Sequence, residues 1–188
     1  MFPRPDFFAG ALLNFAENLL YPANAEVNES DAAVITATEN AEHLWQLTWA
    51  ELREQVRQCS NALRAAGLKE NGVVAGFVAN HAQALVALLS AASVGAIWTG
   101  ISPDNGVSAV LDRLVQIRPQ VLFADNATLY NGKEWSGKAK TLEVVDELRK
   151  HGLERVVVIG SLKHIDAGLD DIRALGVEAD EYDAWLER

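Results

Sequence analysis

Apolar and polar positions follow two different periods along this chain, which predicts a mixture of strands and helices. Residues 73–79, 96–99, 121–124 and 156–159 are short, largely apolar runs rich in β-branched residues. The runs at residues 73–79 and 156–159 are typical of strands covered on both faces, as in a parallel sheet, and the other two runs are also typical of strands. Between them lie stretches with apolar residues three and four apart, as expected for helices. We therefore predict an α/β fold with a doubly wound, mostly parallel sheet flanked by helices.

The clearest helix start lies at Trp49. Thr48 and Glu51 have the spacing of a capping box, in which each side chain binds the backbone N–H of the other residue. Apolar residues then recur on one helix face, and Gly67 stands where a helix of this length would end. This pattern places Cys59 in the core, where a thiol is a structural residue and not a nucleophile.

The pattern divides the chain into three segments. Residues 1–30 form an N-terminal lead-in segment, residues 31–160 the α/β subdomain, and residues 161–188 an acidic connector. The connector is weakly patterned, so we expect it to be solvated and to end in a short helix around Trp185. Within the subdomain, Asn131-Gly132 predicts the turn of a small antiparallel hairpin.

The charge of the chain narrows the classes of partner. Its 188 residues include 16 Lys and Arg against 26 Asp and Glu, a net charge of −10, and 49% of the residues are hydrophobic. Nucleic acids and anionic membranes require clustered basic residues, so small molecules and proteins are the expected partners. No apolar run approaches the roughly 20 residues of a membrane span. A single cysteine, Cys59, indicates a reducing compartment, and we expect a cytoplasmic location.

One segment imitates a phosphate-binding motif. Residues 132–139 match a P-loop at seven of its eight positions. Ala139 stands where a P-loop needs Ser or Thr to hold Mg²⁺, so we reject this assignment. Lys133, Lys138 and Lys140 still form the most basic local cluster of an acidic chain. Such a cluster either receives a phosphate or is simply solvated, and both interpretations stay open.

The histidines show neither the spacing of metal ligands nor a nucleophile beside them. His81 adjoins a predicted helix start and is expected at the surface. We therefore predict no metal site and no catalytic residue within these 188 residues. The four histidines are His43, His81, His151 and His164.

Several segments together resemble a known family. Residues 8–20 (FAGALLNFAENLL) resemble the phrase that opens the large domain of acetoacetyl-CoA synthetases. Residues 47–52 (LTWAEL) and 91–104 (AASVGAIWTGISPD) resemble two shared motifs of the wider adenylate-forming acyl-CoA synthetase superfamily. Within that superfamily, residues 119–124 and 130–133 are similar to the acetoacetyl branch.

This resemblance implies a ligase that converts acetoacetate, ATP and CoA to acetoacetyl-CoA, AMP and pyrophosphate, with Mg²⁺. It also implies that the chain is the N-terminal part of such an enzyme, the first subdomain of its large domain. The family's phosphate loop, its later nucleotide-binding motifs and its catalytic lysine have no counterpart here. We therefore expect no bound cofactor and no ligation by this segment alone. In related acetyl-CoA ligases, basic residues near the position of Lys133 face the phosphate end of CoA, so Lys133 is the one candidate site residue.

Two alternatives belong to other functional classes. The first is a free-standing, non-catalytic α/β interaction or regulatory module derived from an acyl-CoA synthetase. The second is a flavodoxin-like protein, for which the loop at residues 99–105 is the only suitable flavin-binding segment. Since the parent sheet would continue, we also expect an exposed sheet edge or apolar face, and a homodimer that covers it.

Overall fold

The computed structural model describes residues 8–37 and 44–188. Seven helices and nine strands lie in this described part of the chain, together with a 3₁₀ turn at Arg149–His151. The helices are α1 (Phe15–Leu20), α2 (Trp49–Ala65), α3 (Ala82–Ser93), α4 (Val107–Ile117), α5 (Lys138–Leu148), α6 (Leu169–Ala174) and α7 (Tyr182–Leu186). The strands are β1 (Ala32–Ala37), β2 (Leu44–Thr48), β3 (Val73–Phe77), β4 (Ile97–Ile101), β5 (Val121–Asp125), β6 (Ala127–Tyr130), β7 (Lys133–Ser136), β8 (Arg155–Ile159) and β9 (Glu178–Glu181).

A parallel sheet forms the centre of the fold, as the apolar runs predict. Its five strands, all within the described residues, lie in the order β4-β3-β5-β8-β9. Successive side chains of a strand point to opposite faces, so both faces need apolar cover. Phe123 packs with α1, α2, α3 and α7 on one face, and its neighbour Leu122 packs with α4, α5 and α6 on the other. The predicted doubly wound, helix-flanked sheet is confirmed.

Two short sequence motifs correctly predict the start of α2 and the hairpin turn. The Thr48 hydroxyl accepts a hydrogen bond from the Glu51 N–H at 3.2 Å, and the Glu51 carboxylate accepts one from the Thr48 N–H at 2.8 Å. The Thr48 N–H and hydroxyl both donate to the Glu51 carboxylate and lower its pKa, and the two residues form the predicted capping box. Strands β6 and β7 form the predicted hairpin, whose turn residues Asn131 and Gly132 have φ of 52° and 68°. Two consecutive positive φ angles are typical of a type I′ turn.

The acidic C-terminal segment differs from the expected solvated connector. Strand β9 pairs in parallel with β8 and extends the central sheet, although the short helix around Trp185 is present as α7. Val177, Ala179 and Trp185 are buried and supply the apolar contacts. The neighbouring Asp180 carboxylate is held by Arg155 and Arg188. The expectation of a solvated connector was therefore wrong for residues 169–186, because charged and buried residues alternate there.

Candidate functional site

The sheet has a topological switch point between β3 and β5. The chain passes from β3 outward to β4 and then crosses back to β5 on the other side of β3. Ligands of open α/β sheets bind beyond the carboxyl ends of the strands at such points. A cavity of about 420 Å³ lies at this position. It is bounded by the ends of β3 and β5, the β6–β7 hairpin, the loop before α4 and the first turn of α5, and we call it the switch-point crevice.

A buried pair of side chains joins the two strands beneath the crevice. One oxygen of the Asp125 carboxylate accepts a hydrogen bond from the Ala79 N–H at 2.7 Å, and the other lies 2.9 Å from Nε2 of His81. His81 is the N-cap of α3, where its Nδ1 accepts a hydrogen bond from the Ala84 N–H at 3.2 Å. Since Nδ1 accepts, Nε2 carries the proton and donates a hydrogen bond to the Asp125 carboxylate. The expectation of a surface His81 was wrong, because only 13% of its side chain is exposed.

Aromatic side chains form two walls of the crevice. Tyr130 and Trp135 come from the hairpin and are 60% and 56% exposed, and Phe77 comes from the end of β3. Exposed aromatic rings on a short hairpin stabilise the fold little, since most of their surface stays in water. They offer flat surfaces on which a planar ligand group stacks.

The first turn of α5 supplies the polar end of the crevice. Its N-cap, Gly137, provides no side-chain cap, and the Thr141 hydroxyl is buried without a hydrogen-bond partner. Lys140 also faces the crevice, where its ammonium donates to the backbone oxygens of Pro103 at 2.9 Å and Asn105 at 3.4 Å. These acceptors are neutral, so the charge of Lys140 is not compensated by them. A helix start beside such a cation favours an anion.

Gly137 is required by the close approach of α5 to the end of β5. A Cβ atom at this position would lie 2.6 Å from the Asp125 backbone oxygen, far inside contact distance. The Gly137 N–H donates to the Asn126 backbone oxygen at 2.7 Å. In turn, the buried Asn126 amide donates to the Leu162 and Ile165 backbone oxygens, both at 2.8 Å. This set of bonds fixes the crevice wall at the start of α5.

The structure separates the three lysines that are close in sequence. Lys138 is bound by the Asp166 and Asp171 carboxylates, whose hydrogen bonds raise the pKa of its ammonium. Only Lys140 of the three lines the crevice. Lys133 is exposed and pairs through its backbone with Tyr130, which lines the crevice. Lys133 therefore lies at the rim, and the P-loop-like run from Gly132 crosses a hairpin strand instead of following a buried one.

The remaining histidines have local partners. His151 lies 3.2 Å from the Glu147 carboxylate, and His164 lies 2.8 Å from the Glu134 carboxylate. His43 lies outside the described residues. Over residues 8–37 and 44–188, no three His, Cys, Asp or Glu side chains are grouped as metal ligands. In the same ranges, no helix combines the length and apolar character required to cross a membrane.

Comparison with known proteins assigns the family. Residues 22–176 match the family described as AMP-binding enzyme. The chain belongs to this family. This finding confirms the resemblance to adenylate-forming synthetases that residues 47–52 and 91–104 indicate.

Synthetases named for two different acyl groups are similar to this chain. The malonamoyl-CoA synthetase of Penicillium aethiopicum is 47% identical over 170 residues, which are 90% of this chain and 23% of that protein. The acetoacetyl-CoA synthetase of Mus musculus is 44% identical over 156 residues, 82% of this chain and 22% of that protein. The solved acetoacetyl-CoA synthetase of Streptomyces lividans superposes with a TM-score of 0.80 at 33% identity, over 97% of this chain and 26% of that one. The chain thus spans about a quarter of the length of these relatives.

Proposed function

We propose that this chain serves as the N-terminal part of an AMP-forming acid–CoA ligase that acts on acetoacetate. The full reaction would consume acetoacetate, ATP and CoA and release acetoacetyl-CoA, AMP and pyrophosphate. The observation that carries the proposal is the switch-point crevice, with aromatic walls and an anion-favouring end, in a member of the AMP-binding enzyme family. The sequence phrase at residues 8–20 supports the acetoacetyl branch.

The names of the relatives support a narrow class of acids. Acetoacetate and malonamate are both short carboxylates with a carbonyl group on the β carbon. They differ in the group beyond that carbonyl, a methyl in acetoacetate and an amino group in malonamate, which have similar sizes. Relatives of both kinds match this chain, the malonamoyl-CoA synthetase at 47% identity and acetoacetyl-CoA synthetases at 38–44% identity. We therefore propose short β-carbonyl carboxylates as the substrate class, with acetoacetate as the expected member.

We propose that this segment contributes a binding surface for the nucleotide end of CoA. The adenine ring would stack on Tyr130 or Trp135, and phosphate oxygens would lie near the start of α5. Lys140 would supply the charge inside the crevice, and Lys133 would meet a phosphate at its rim. No carboxylate among the described residues pairs with Lys133, so its ammonium is available to a ligand.

Calorimetric titration of the 188-residue chain with CoA tests this binding role. Because charge-assisted bonds contribute about 1.5–3 kcal/mol, Lys140→Met should weaken binding at least tenfold. Lys133→Ala should weaken it about 1.5-fold to fivefold, since an exposed ion pair is partly screened and contributes only about 0.2–1 kcal/mol. If Lys133 contacts the 3′-phosphate of CoA, the wild-type chain should bind dephospho-CoA more weakly than CoA, by the same factor as the Lys133→Ala substitution.

Lys69→Ala is the matched control, because Lys69 is exposed and precedes β3, at the opposite end of the sheet. This variant should bind CoA as wild type does. Identical heats for wild type and Lys133→Ala would exclude the Lys133 contact. The absence of any CoA heat in wild type would exclude the crevice as a CoA surface.

We also propose that the chain alone does not catalyse ligation. Attack on the α-phosphorus of ATP requires cations and donors that hold the phosphates in the transition state. No such phosphate loop is present in the sequence, so ATP and Mg²⁺ would be held by the rest of the synthetase. Acetoacetate-dependent pyrophosphate exchange by the purified chain above background would overturn this proposal. A cytoplasmic location stays a prediction.

A homodimer through β4 is the proposed way of covering the open sheet edge. Among the strands of residues 8–37 and 44–188, β4 pairs with β3 alone, and it carries no charged residue from Ile97 to Ile101. The opposite edge, β9, carries Glu178, Asp180 and Glu181, which discourage pairing with another chain. Light scattering should show a dimer that Ile97→Lys dissociates. A strict monomer of the wild-type chain at high concentration would contradict the proposal.

A further inference from the structure

Asparagine stands directly before glycine at three places in the chain, and two of these pairs adjoin the switch-point crevice. The pairs are Asn71-Gly72, Asn105-Gly106 and Asn131-Gly132. Asn105 follows Asp104, which lines the crevice, and its backbone oxygen accepts a hydrogen bond from Lys140. Asn131 follows Tyr130 of the crevice wall and begins the turn of the β6–β7 hairpin.

An Asn-Gly pair is open to attack by the backbone on the asparagine side chain. The glycine nitrogen loses its proton to base and bonds to Cγ of the asparagine, while the Cγ–Nδ2 bond breaks and ammonia leaves with a proton from water. Water then opens the resulting cyclic imide, at Cγ to give aspartate or at the backbone carbonyl to give isoaspartate. Glycine favours this reaction because it has no Cβ to shield its nitrogen or restrict its backbone. Either product replaces a neutral amide by a carboxylate.

Two of the three pairs are restrained by hydrogen bonds. In the first pair the attacking group is engaged, because the Gly72 N–H donates to the Lys69 backbone oxygen at 2.9 Å. In the second pair the side chain is held, because the Asn105 amide nitrogen donates to the Ser102 backbone oxygen at 3.1 Å. The attack requires that these bonds break first, which slows the reaction.

The hairpin pair has neither restraint. Among the contacts of residues 8–37 and 44–188, none is a hydrogen bond to the Asn131 side chain or from the Gly132 N–H. Both residues are exposed. A Cβ atom at Gly132 would meet nothing within 4 Å, so water and base reach this nitrogen freely. The structure therefore leaves the reacting atoms of this pair the most accessible of the three.

We propose that Asn131 is a site of spontaneous deamidation, and that its conversion places a carboxylate beside Lys133 at the rim of the crevice. Aspartate tolerates the positive φ of this position, so it keeps the turn and adds only the charge. Isoaspartate lengthens the backbone within a two-residue turn, which sets the register of the hairpin, and so misaligns Tyr130 with Lys133. Both products oppose an anionic ligand. This effect on affinity rests on the proposed CoA surface, whereas the modification itself does not.

Peptide mass spectrometry of the folded chain, kept in mildly alkaline buffer, tests the modification. The mass gain of an amide-to-carboxyl conversion is followed at each of the three asparagines, and chromatography separates isoaspartate from aspartate. We expect Asn131 to convert fastest, and Asn71 and Asn105 to convert about twofold to tenfold more slowly, as a hydrogen bond of ordinary strength requires. The urea-denatured chain is the control, because without these bonds the three pairs should convert at similar rates. Conversion of Asn131 no faster than that of Asn71 in the folded chain would overturn the proposal.

Two variants test the effect on the crevice. Asn131→Asp reproduces the new charge, and Asn131→Gln keeps an amide on a longer side chain that cyclises slowly. In calorimetric titration, Asn131→Asp should bind CoA about 1.5-fold to fivefold more weakly than Asn131→Gln, as expected for one exposed charge. Equal affinities would overturn the effect on binding. The absence of CoA heat in every variant would instead refute the CoA surface, while the peptide masses decide the modification independently.

Discussion

His81 shows how one side chain can take two structural roles at the switch point. Its two ring nitrogens are used differently, one as acceptor for the start of α3 and the other as donor to Asp125. This arrangement connects β5 to the helix that follows β3, and it requires the neutral ring with its proton on Nε2. Asp125 is buried and lines the crevice, so His81 positions a residue of the candidate site without touching the crevice itself.

Substitution of His81 should separate these two roles. His81→Ala removes the helix cap and leaves a buried Asp125 oxygen without its donor, so the free energy of unfolding should fall by about 2–4 kcal/mol. His81→Asn keeps a good N-cap residue and loses only the bond to Asp125, so its loss should be smaller. Urea denaturation of the three proteins measures this. Equal stability of His81→Ala and wild type would contradict the two-bond arrangement.

At the scale of elements, β9 and α7 show that an acidic segment can belong to a sheet. The acids of β9 are tolerated because an edge strand leaves one side open to solvent and because Arg155 contacts Glu178 and Asp180. The apolar contribution comes from few side chains. Trp185 is fully buried, and the guanidinium groups of Arg155 and Arg188 lie 5.5 and 5.6 Å from its ring.

Trp185 should therefore be a major stabilising residue of the chain. Trp185→Ala removes a fully buried ring and should lower the free energy of unfolding by about 3–5 kcal/mol. Trp135→Ala is the matched control, because this tryptophan is 56% exposed on the hairpin and its loss should cost less than about 1 kcal/mol. Chemical denaturation followed by circular dichroism compares the two. Similar small losses would indicate the solvated connector that the sequence suggested.

At the scale of the whole molecule, the core contains two weak acids, the Cys59 thiol and the Tyr182 hydroxyl. Burial raises the pKa of the Cys59 thiol to about 11. Burial likewise raises the pKa of the nearby Tyr182 hydroxyl. Both groups are neutral in the folded chain. Unfolding exposes them to water, where they ionise at lower pH.

Stability should consequently decline in alkaline solution. A raised folded-state pKa means that the contribution of the Cys59 thiol is complete below its unfolded pKa of about 8.5 and is lost as the pH rises towards 11. The loss should be about 2–4 kcal/mol, given about 1.4 kcal/mol for each unit of pKa difference. Cys59→Ala should flatten this part of the profile in denaturation series between pH 8 and 11. An identical slope in wild type and Cys59→Ala would assign the alkaline loss to other groups.

The sequence predicts the parts of this fold that depend on near neighbours. The capping box at Thr48, the hairpin turn at Asn131 and the buried strands β3 and β8 need only residues a few positions apart, and the structure confirms these predictions. The family motifs are also short stretches of sequence, so the family could be assigned from the sequence alone. The candidate site was predicted only in part, since Lys133 lies at the rim while Lys140, Tyr130 and Trp135 face the crevice.

The sequence by itself determined the fold class, the family and the apolar strand residues that helices cover on both faces of the sheet. Tertiary structure decided what the sheet brings together across long separations. Asp125 meets His81 across 44 positions, Asn126 binds Leu162 across 36, and β9 joins β8. Periodicity shows which residues face inward but not which strand lies beside which. The order of strands therefore places the crevice between β3 and β5 and makes the acidic β9 an edge strand. The tertiary contacts also give Lys138 and Lys140 different partners.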